Sequence, residues 1–386
     1  MLRVITGFFC LLCLTAQAQV LRDINYSYVY NPQEAFNFKW KVVRVGEAYK
    51  IFYEILPNDA VQDSATITVQ LELRESLGDR RGQQISTTTK QAGSIVGSEY
   101  FQPEQDQSII VAKITVSDPE ESSTYTYYKQ LPTKTSAYIS SDSRTIVNSF
   151  TQKNQHITFD GFEARKPIHV AYYSILFPAG APAFSTTQAK VAKKITPDST
   201  FIVNGASPVP LNRKGLYLAQ QDTSSVEGIS FRVEEDYPKL GKLESLVGPL
   251  IYICTKQETE KLKQAGSDKK KFDQTILTIT GNAERARKFM RNYFKRVEQA
   301  NIYFSSYKEG WRTDRGMIYI IFGLPDEVYF FGEREVWEYK NETIKIRFQF
   351  IKSPTVFDPD NYVLIRDKKF TKPWYVMVDL WRQARF

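Results

Sequence analysis

Gly310-Trp311-Arg312-Thr313-Asp314-Arg315-Gly316 runs directly into Met317-Ile318-Tyr319-Ile320-Ile321-Phe322-Gly323-Leu324-Pro325-Asp326. Gly310 and Gly316 read as positions where a Cβ would obstruct the backbone. Thr313 and Asp314 can hydrogen-bond nearby backbone N–H groups and fix a turn. Arg312 and Arg315 each carry a fork suited to a carboxylate or a carbonyl, and Trp311 can cover the turn. Met317 to Phe322 is apolar on both faces, which predicts a central strand. Gly323 and Pro325 then stop it, because proline cannot donate to a ladder and presses Leu324 into an extended shape. On this reading Asp314 and Asp326 bracket the strand and stand roughly 20 Å apart at about 3.3 Å per residue. A glycosidase-type carboxylate pair needs about 5 to 10 Å. The stretch is therefore expected to be architectural, carried by Gly310, Trp311, Thr313, Asp314, Arg315, Gly316, Gly323, Pro325 and Asp326.

Outward from it, the segment on its N-terminal side predicts a long helix from Asn282. Ala286, Phe289, Met290, Tyr293, Phe294, Val297, Ala300 and Phe304 fall on one face at 3.6-residue spacing. Arg285, Arg287, Lys288, Arg291, Lys295 and Arg296 crowd the other faces. Lys256 to Ala265 also has helical composition, with Lys269-Lys270-Lys271 after it. On the C-terminal side, Val336-Trp337-Glu338-Tyr339 leads through Lys340-Asn341 into a strand whose apolar set is Ile344, Ile346, Phe348 and Phe350. Tyr362 to Ile365 and Trp374 to Val378 are expected to add strands.

Residues 34–132 alternate apolar and polar with period two: Phe36, Phe38, Trp40 and Val42; Tyr49, Ile51, Tyr53 and Ile55; Ile67, Val69, Leu71 and Leu73; Ile110, Ala112, Ile114 and Val116. That pattern, broken by turn residues, predicts an antiparallel immunoglobulin-like sandwich. Residues 137–235 are less regular but also β, and a second sandwich is the simplest reading. The expected architecture is mainly β with a C-terminal α+β domain. It runs as a signal peptide over 1–18, sandwiches over 19–132 and 133–250, and a helix-plus-antiparallel-sheet domain over 251–386.

Arg3, the apolar run Val4 to Leu14 and Ala16-Gln17-Ala18 form that signal, with cleavage expected before Gln19. Its apolar run is too short for a membrane span, which takes about 20 residues, and no later stretch approaches that length. The mature chain would keep Cys254 alone, which reads as a small buried hydrophobe in a strand-like run from Leu250. Net charge is +8, which for an exported protein points to acidic proteins, anionic headgroups or acidic glycans and away from nucleic acid. Asp63-Ser64-Ala65 and Asp198-Ser199-Thr200 resemble a short O-glycosylation signal.

The motif resembles the GWxTD-domain proteins, a family found largely in Bacteroidota and related bacteria. Gly310, Trp311, Thr313 and Asp314 match the naming residues. Arg315-Gly316, Tyr319-Ile320, Gly323 and Pro325-Asp326 match the family pattern on their C-terminal side. Tyr293 to Val297, Ala300-Asn301 and Gly215-Leu216-Tyr217-Leu218 resemble its preceding helix and β region. Phe272-Asp273-Gln274-Thr275 stands where relatives often carry a Phe-Trp pair. The resemblance supplies no catalytic residue.

Nucleotide loops are absent, two histidines and one distant cysteine give no zinc spacing, and no nucleophile elbow is present. No catalytic residue, cofactor site or metal site is assigned. The expected function is a non-catalytic cell-envelope protein, exported to the periplasm or outer membrane. It would act as an interaction or assembly module, with Arg287, Lys288, Arg291 and Lys295 meeting the partner. An envelope hydrolase acting on glycans or peptides, or a passive spacer, is the alternative.

Overall fold

The computed structural model describes residues 20–58, 61–186, 195–204, 207–340 and 345–386. The expected signal peptide lies outside them. The chain is mainly β, with helices gathered in its C-terminal part.

The first β unit holds β1 (Phe36–Val45), β2 (Ala48–Pro57), β3 (Thr66–Arg74), β4 (Gln83–Gln91), β5 (Ile95–Phe101), β6 (Ile109–Ser117) and β7 (Ser122–Gln130). They form two antiparallel sheets, ordered β1-β2-β5 and β4-β3-β6-β7. Ile51, Tyr53 and Ile55 of one sheet share a core with Ile67, Val69, Ile110 and Ile114 of the other. β4 has no apolar alternation, and its threonines, which suit a pleated surface, are the trace it leaves in the sequence.

The second β unit holds β8 (Tyr138–Ser141), β9 (Arg144–Thr145), β10 (Phe150–Gln152), β11 (His156–Asp160), β12 (Ile168–Tyr173), β13 (Ser199–Val203), β14 (Val209–Pro210), β15 (Gly215–Gln220) and β16 (Ile229–Glu234). Its sheets run β10-β16-β15-β12-β13 and β14-β11-β8-β9. β15 is buried at every position, as suits a strand covered on both faces. Of the two glycosylation-like triplets, Ser64 is exposed before β3 and Ser199 opens β13.

The C-terminal helices start with α1 (Leu243–Val247), which follows β16 directly. The C-terminal part also contains α2 (Lys256–Ala265), α3 (Lys269–Thr280), α4 (Ala283–Phe304), α5 (Asp314–Phe322), the antiparallel sheet β17 (Glu327–Phe331), β18 (Arg334–Lys340), β19 (Lys345–Lys352) and β20 (Tyr362–Leu364), and α6 (Thr371–Arg382). Asn282 caps α4 by accepting from Arg285 N–H, and the expected apolar face is the one that is buried. β18 pairs with β19 as the hairpin pattern requires, although Ile344 lies outside the described residues.

Three expected strands are helical. Met317–Phe322 belongs to α5, because Thr313 caps its first turn and a helix that is apolar all round is stable when fully enclosed. An apolar run on every face reads identically for a buried strand and a buried helix. Trp374–Val378 belongs to α6, whose Trp374, Met377, Val378 and Trp381 recur at helical spacing and are buried. Leu250 to Cys254 falls in and just after a 3-10 turn over Pro249–Tyr252. Cys254 is half-buried there, and burial pushes its thiol up to about 12.

The N-terminal segment also reaches the C-terminal part. Tyr26 and Tyr30 pack into the C-terminal core. Tyr26 N–H donates to Val328 O at 2.8 Å, and Asn25 accepts from Val328 N–H at 3.0 Å. The first described residues thus strap the C-terminal sheet from outside.

Candidate functional site

The turn begins where α4 ends. Gly310 lies so close to α4 that a Cβ there would stand 2.6 Å from Asn301 Cα and closer still to Ala300 O. Gly316 sits in the first turn of α5, where a Cβ would lie 2.8 Å from the Gly310 carbonyl carbon. Both glycines are therefore required by backbone against backbone, not by an unusual φ. Thr313 joins them: its hydroxyl donates to Gly310 O at 2.7 Å and accepts from Gly316 N–H at 3.0 Å. That is an N-cap doing two jobs with one oxygen.

Each side chain of the motif then reaches a different element. Trp311 is buried against Gly248. Its N–H donates to Asn301 Oδ1 at 3.0 Å, and its carbonyl accepts from Tyr252 Oη at 2.9 Å. Gly310 N–H donates to Tyr237 Oη at 3.1 Å. Arg312 stacks 4.2 Å from the Trp311 ring and donates to Phe177 O at 3.1 Å. Asp314 faces the other way. Its carboxylate accepts from Leu364 N–H at 2.8 Å and pairs with Arg366 at 2.5 Å, with both side chains under a tenth exposed. Arg366 also donates to Ala181 O at 3.0 Å, and Gly180 N–H donates to Arg312 O at 2.8 Å. The loop after β12 is thereby tied to the start of α5.

Arg315 pairs with the fully buried Glu335 of β18 at 3.0 Å. Glu335 also accepts from Tyr30 Oη at 2.6 Å and from Trp337 Nε1 at 2.7 Å. The carboxylate is satisfied on both oxygens, which is what a buried charge requires. Tyr319 Oη donates to Tyr30 O at 3.0 Å, adding a second tie to the N-terminal strap.

At the other end of α5, Gly323 takes φ +88° and is covered by the Arg296 guanidinium. Arg296 donates to Ile320 O at 3.3 Å and lies 4.8 Å from the Trp381 ring. A cation over the last carbonyls, with Asp314 in the first turn, complements the helix dipole at both ends, by about 0.3–1 kcal/mol each. Pro325 is buried. Asp326 is exposed and accepts from Lys340 N–H at the β17–β18 hairpin. Asp314 and Asp326 thus stand at opposite ends of a helix and not of a strand. At about 1.5 Å per residue its nine residues span roughly 14 Å, shorter than the strand reading required. The two carboxylates still serve different elements.

A buried charge cluster ties the same turn to the second β unit. Arg232 of β16 donates to Glu234 at 2.6 Å and to Tyr307 O at 3.1 Å, and stands 3.8 Å from Glu309. Phe177 and Tyr307 meet edge-on at 4.8 Å beside it. Arg366, Glu335, Tyr237 and Arg232 are the partners that sequence reading missed, and Arg296 and Asn301 were read only as parts of the long helix. Asn301 left one signal, an amide in the middle of an apolar helix face.

Arg287, Lys288, Arg291 and Lys295 are all exposed on α4, and none forms an ion pair among the described residues. They lie away from the turn, which the C-terminal end of α4 meets. Of the lysine run, Lys269 pairs with Asp273 and Lys271 with Asp268, leaving Lys270. No cluster of potential metal ligands is found among the described residues. No helix among them is long and apolar enough to cross a membrane.

A capped, fully enclosed helix is held between a long amphipathic helix and a four-stranded sheet, with Trp311, Thr313, Asp314 and Arg315 engaged inside the fold. Residues 215–383 of the chain match the GWxTD domain. That span includes β15 and β16, which lie inside the second β unit. No curated protein matches the chain. Two solved structures are similar over 53% of this chain and 17% of their own length. One is Salmonella alpha-2-macroglobulin reacted with methylamine, at 11% identity and a TM-score of 0.21. The other is trypsin-activated alpha-2-macroglobulin from Escherichia coli, at 10% identity and a TM-score of 0.19. At those TM-scores neither bears on fold or function.

Proposed function

We propose that this protein is a non-catalytic interaction or assembly module of the bacterial cell envelope, exported to the periplasm or the outer membrane. The observation that carries the reading is the basic face of α4. Arg287, Lys288, Arg291 and Lys295 are exposed and without acidic partners among the described residues, on a helix whose opposite face is anchored in the core. Charges held rigidly and left unpaired attract an acidic protein surface, or an anionic headgroup or glycan, more strongly than charges spent on internal pairs. The motif residues support the non-catalytic part of the reading, since Asp314, Arg315 and Thr313 are consumed by ion pairs and a helix cap.

The test is crosslinking in intact cells, followed by mass spectrometry, with the native chain and a fourfold charge-reversed variant. The expected result is one specific envelope partner, captured by the native chain and lost with Arg287, Lys288, Arg291 and Lys295 all changed to Glu. Unchanged capture removes the basic face from the reading. Recovery of no specific partner favours a passive spacer, and recovery of a processed glycan or peptide favours the hydrolase.

A further inference from the structure

β1 is the outer strand of its sheet. It turns into β2 through Gly46 and Glu47 alone, with Val45 opposite Ala48. A two-residue hairpin closes on a hydrogen-bonded pair, and bonded pairs then alternate along an antiparallel ladder. Val45, Val43, Lys41, Lys39 and Asn37 therefore bond to β2. The peptide groups of Arg44, Val42, Trp40, Phe38 and Phe36 look out from the open edge. Two contacts agree with this parity: Ser136 N–H donates to Arg44 O at 2.9 Å, and the Lys129 ammonium donates to Trp40 O at 2.8 Å. Beyond Trp40, the outward groups of Phe38 and Phe36 have no partner among the described residues.

Phe36 and Phe38 line a cleft of 360 Å³ between the N-terminal segment over residues 28–34, the first β unit, the loop before β10 and the end of α4; its one carboxylate, Glu34, already accepts from the Asn31 amide at 2.8 Å. Pockets that hold ligands run from about 300 to 1,000 Å³. The side of β1 that carries Phe36, Phe38 and Trp40 is aromatic, with Tyr127 packed 4.6 Å from Phe38, and Tyr303 lines the opposite wall. The other side carries Asn37 and Lys39 in the cleft, with Glu54 of β2 opposite Lys39, and Lys41 just beyond the cleft. Neither lysine forms an ion pair among the described residues, and burial lowers both ammoniums, Lys41 to about 8 with Lys129 adding to the effect.

We propose that this edge is a strand-addition site for an extended peptide in which apolar residues alternate with acidic ones. Backbone pairing to Phe36 and Phe38 supplies affinity, and side chains on alternate faces supply selectivity. The apolar set meets the aromatic side of β1, and the acidic set meets Lys39 and Lys41. A glycan fits less well, because the unspent groups are main-chain N–H and C=O and the rings of Phe38 and Trp40 are packed against each other at 5.5 Å. The site shares no residue with the basic face of α4, so either can fail without the other.

The test uses the full chain and a blocked heptapeptide alternating valine and glutamate, with binding measured by calorimetry. Saturable binding is expected. N-methylation of the amides along one peptide edge should weaken it at least tenfold, and methylation along the other edge should leave it unchanged. Phe38→Pro removes an outward N–H without touching the β1–β2 ladder and should abolish binding. If that variant does not fold, the two methylated peptides decide alone. Lys39→Glu with Lys41→Glu should weaken the valine–glutamate peptide at least tenfold and favour a valine–lysine peptide. Absence of binding at millimolar peptide, equal loss for both methylated edges, or binding that survives Phe38→Pro overturns the proposal. So does preferred binding of an N-acetylglucosamine tetrasaccharide, which assigns the cleft to glycans.

Discussion

Gly316→Ala tests the reasoning about the turn most sharply, because two effects of known sign oppose each other. In an ordinary helix the change is favourable by roughly 1 kcal/mol, since alanine is the better helix former. Here the added methyl would lie 2.8 Å from the Gly310 carbonyl carbon and 3.0 Å from Thr313 Oγ1. Neither neighbour can yield freely. Gly310 is already pressed against the α4 backbone, and Thr313 Oγ1 holds the cap. Overpacking of this kind costs about 1–3 kcal/mol, and backbone obstruction puts it at the upper end. Displacing the cap adds about 1 kcal/mol. The net expectation is a loss of about 3 kcal/mol. With a urea slope of about 3 kcal/mol per molar, the unfolding midpoint should fall by about 1 M. Urea titration followed by far-UV circular dichroism measures it. Thr278→Ala on the exposed side of α3 serves as a control and should shift the midpoint little. A midpoint for Gly316→Ala at or above that of the native chain would refute the argument.

Asp314→Asn leaves Arg366 buried without its carboxylate and should cost about 3–5 kcal/mol by thermal denaturation. Arg366→Met combined with it should recover part of that loss, and strict additivity would show that the two side chains do not interact. Two carboxyls should give opposite pH trends in chemical denaturation. Arg382 holds the Glu258 carboxyl down to about 2, below its usual range, so that pair stabilises fully above about pH 4.5 and is lost as pH falls toward 2. Glu258→Gln should flatten this limb by about 1–2 kcal/mol, a range already reduced for partial exposure. Burial pushes Asp358 up to about 6, so stability should fall as pH rises from about 4 to 6, and Asp358→Asn should remove that decline and stabilise at pH 7 by about 1 kcal/mol. Cys254, with its thiol raised to about 12, should resist iodoacetamide at pH 8 in the folded chain and react after unfolding. Rapid labelling of the native protein would contradict its packing.

The chain's period-two stretches and the face of α4 were legible because each depends on local alternation that one sheet or one helix imposes. Thr313 was legible as a fixing residue for the same reason: its bonds reach only to Gly310 and Gly316. The six residues from Met317 to Phe322 were not. Enclosure on all sides erases the pattern that distinguishes strand from helix, and the neighbours that enclose α5 come from α4, α6 and β20. Trp374 to Val378 did carry helical spacing with Trp381, but a short aromatic and β-branched run favours the strand reading until the later tryptophan is weighed with it.

By itself, the sequence determined which residues would be punctuation, which faces would be apolar, and which family's domain the C-terminal part matches. The tertiary structure alone decided where the charges of the motif are spent. Asp314 finds Arg366 across 52 positions and Arg315 finds Glu335 across 20. Tyr30 reaches Glu335 from 305 positions away. An ion pair depends on separation in space, and chain distance says nothing of it until the sheets and helices have closed around the turn.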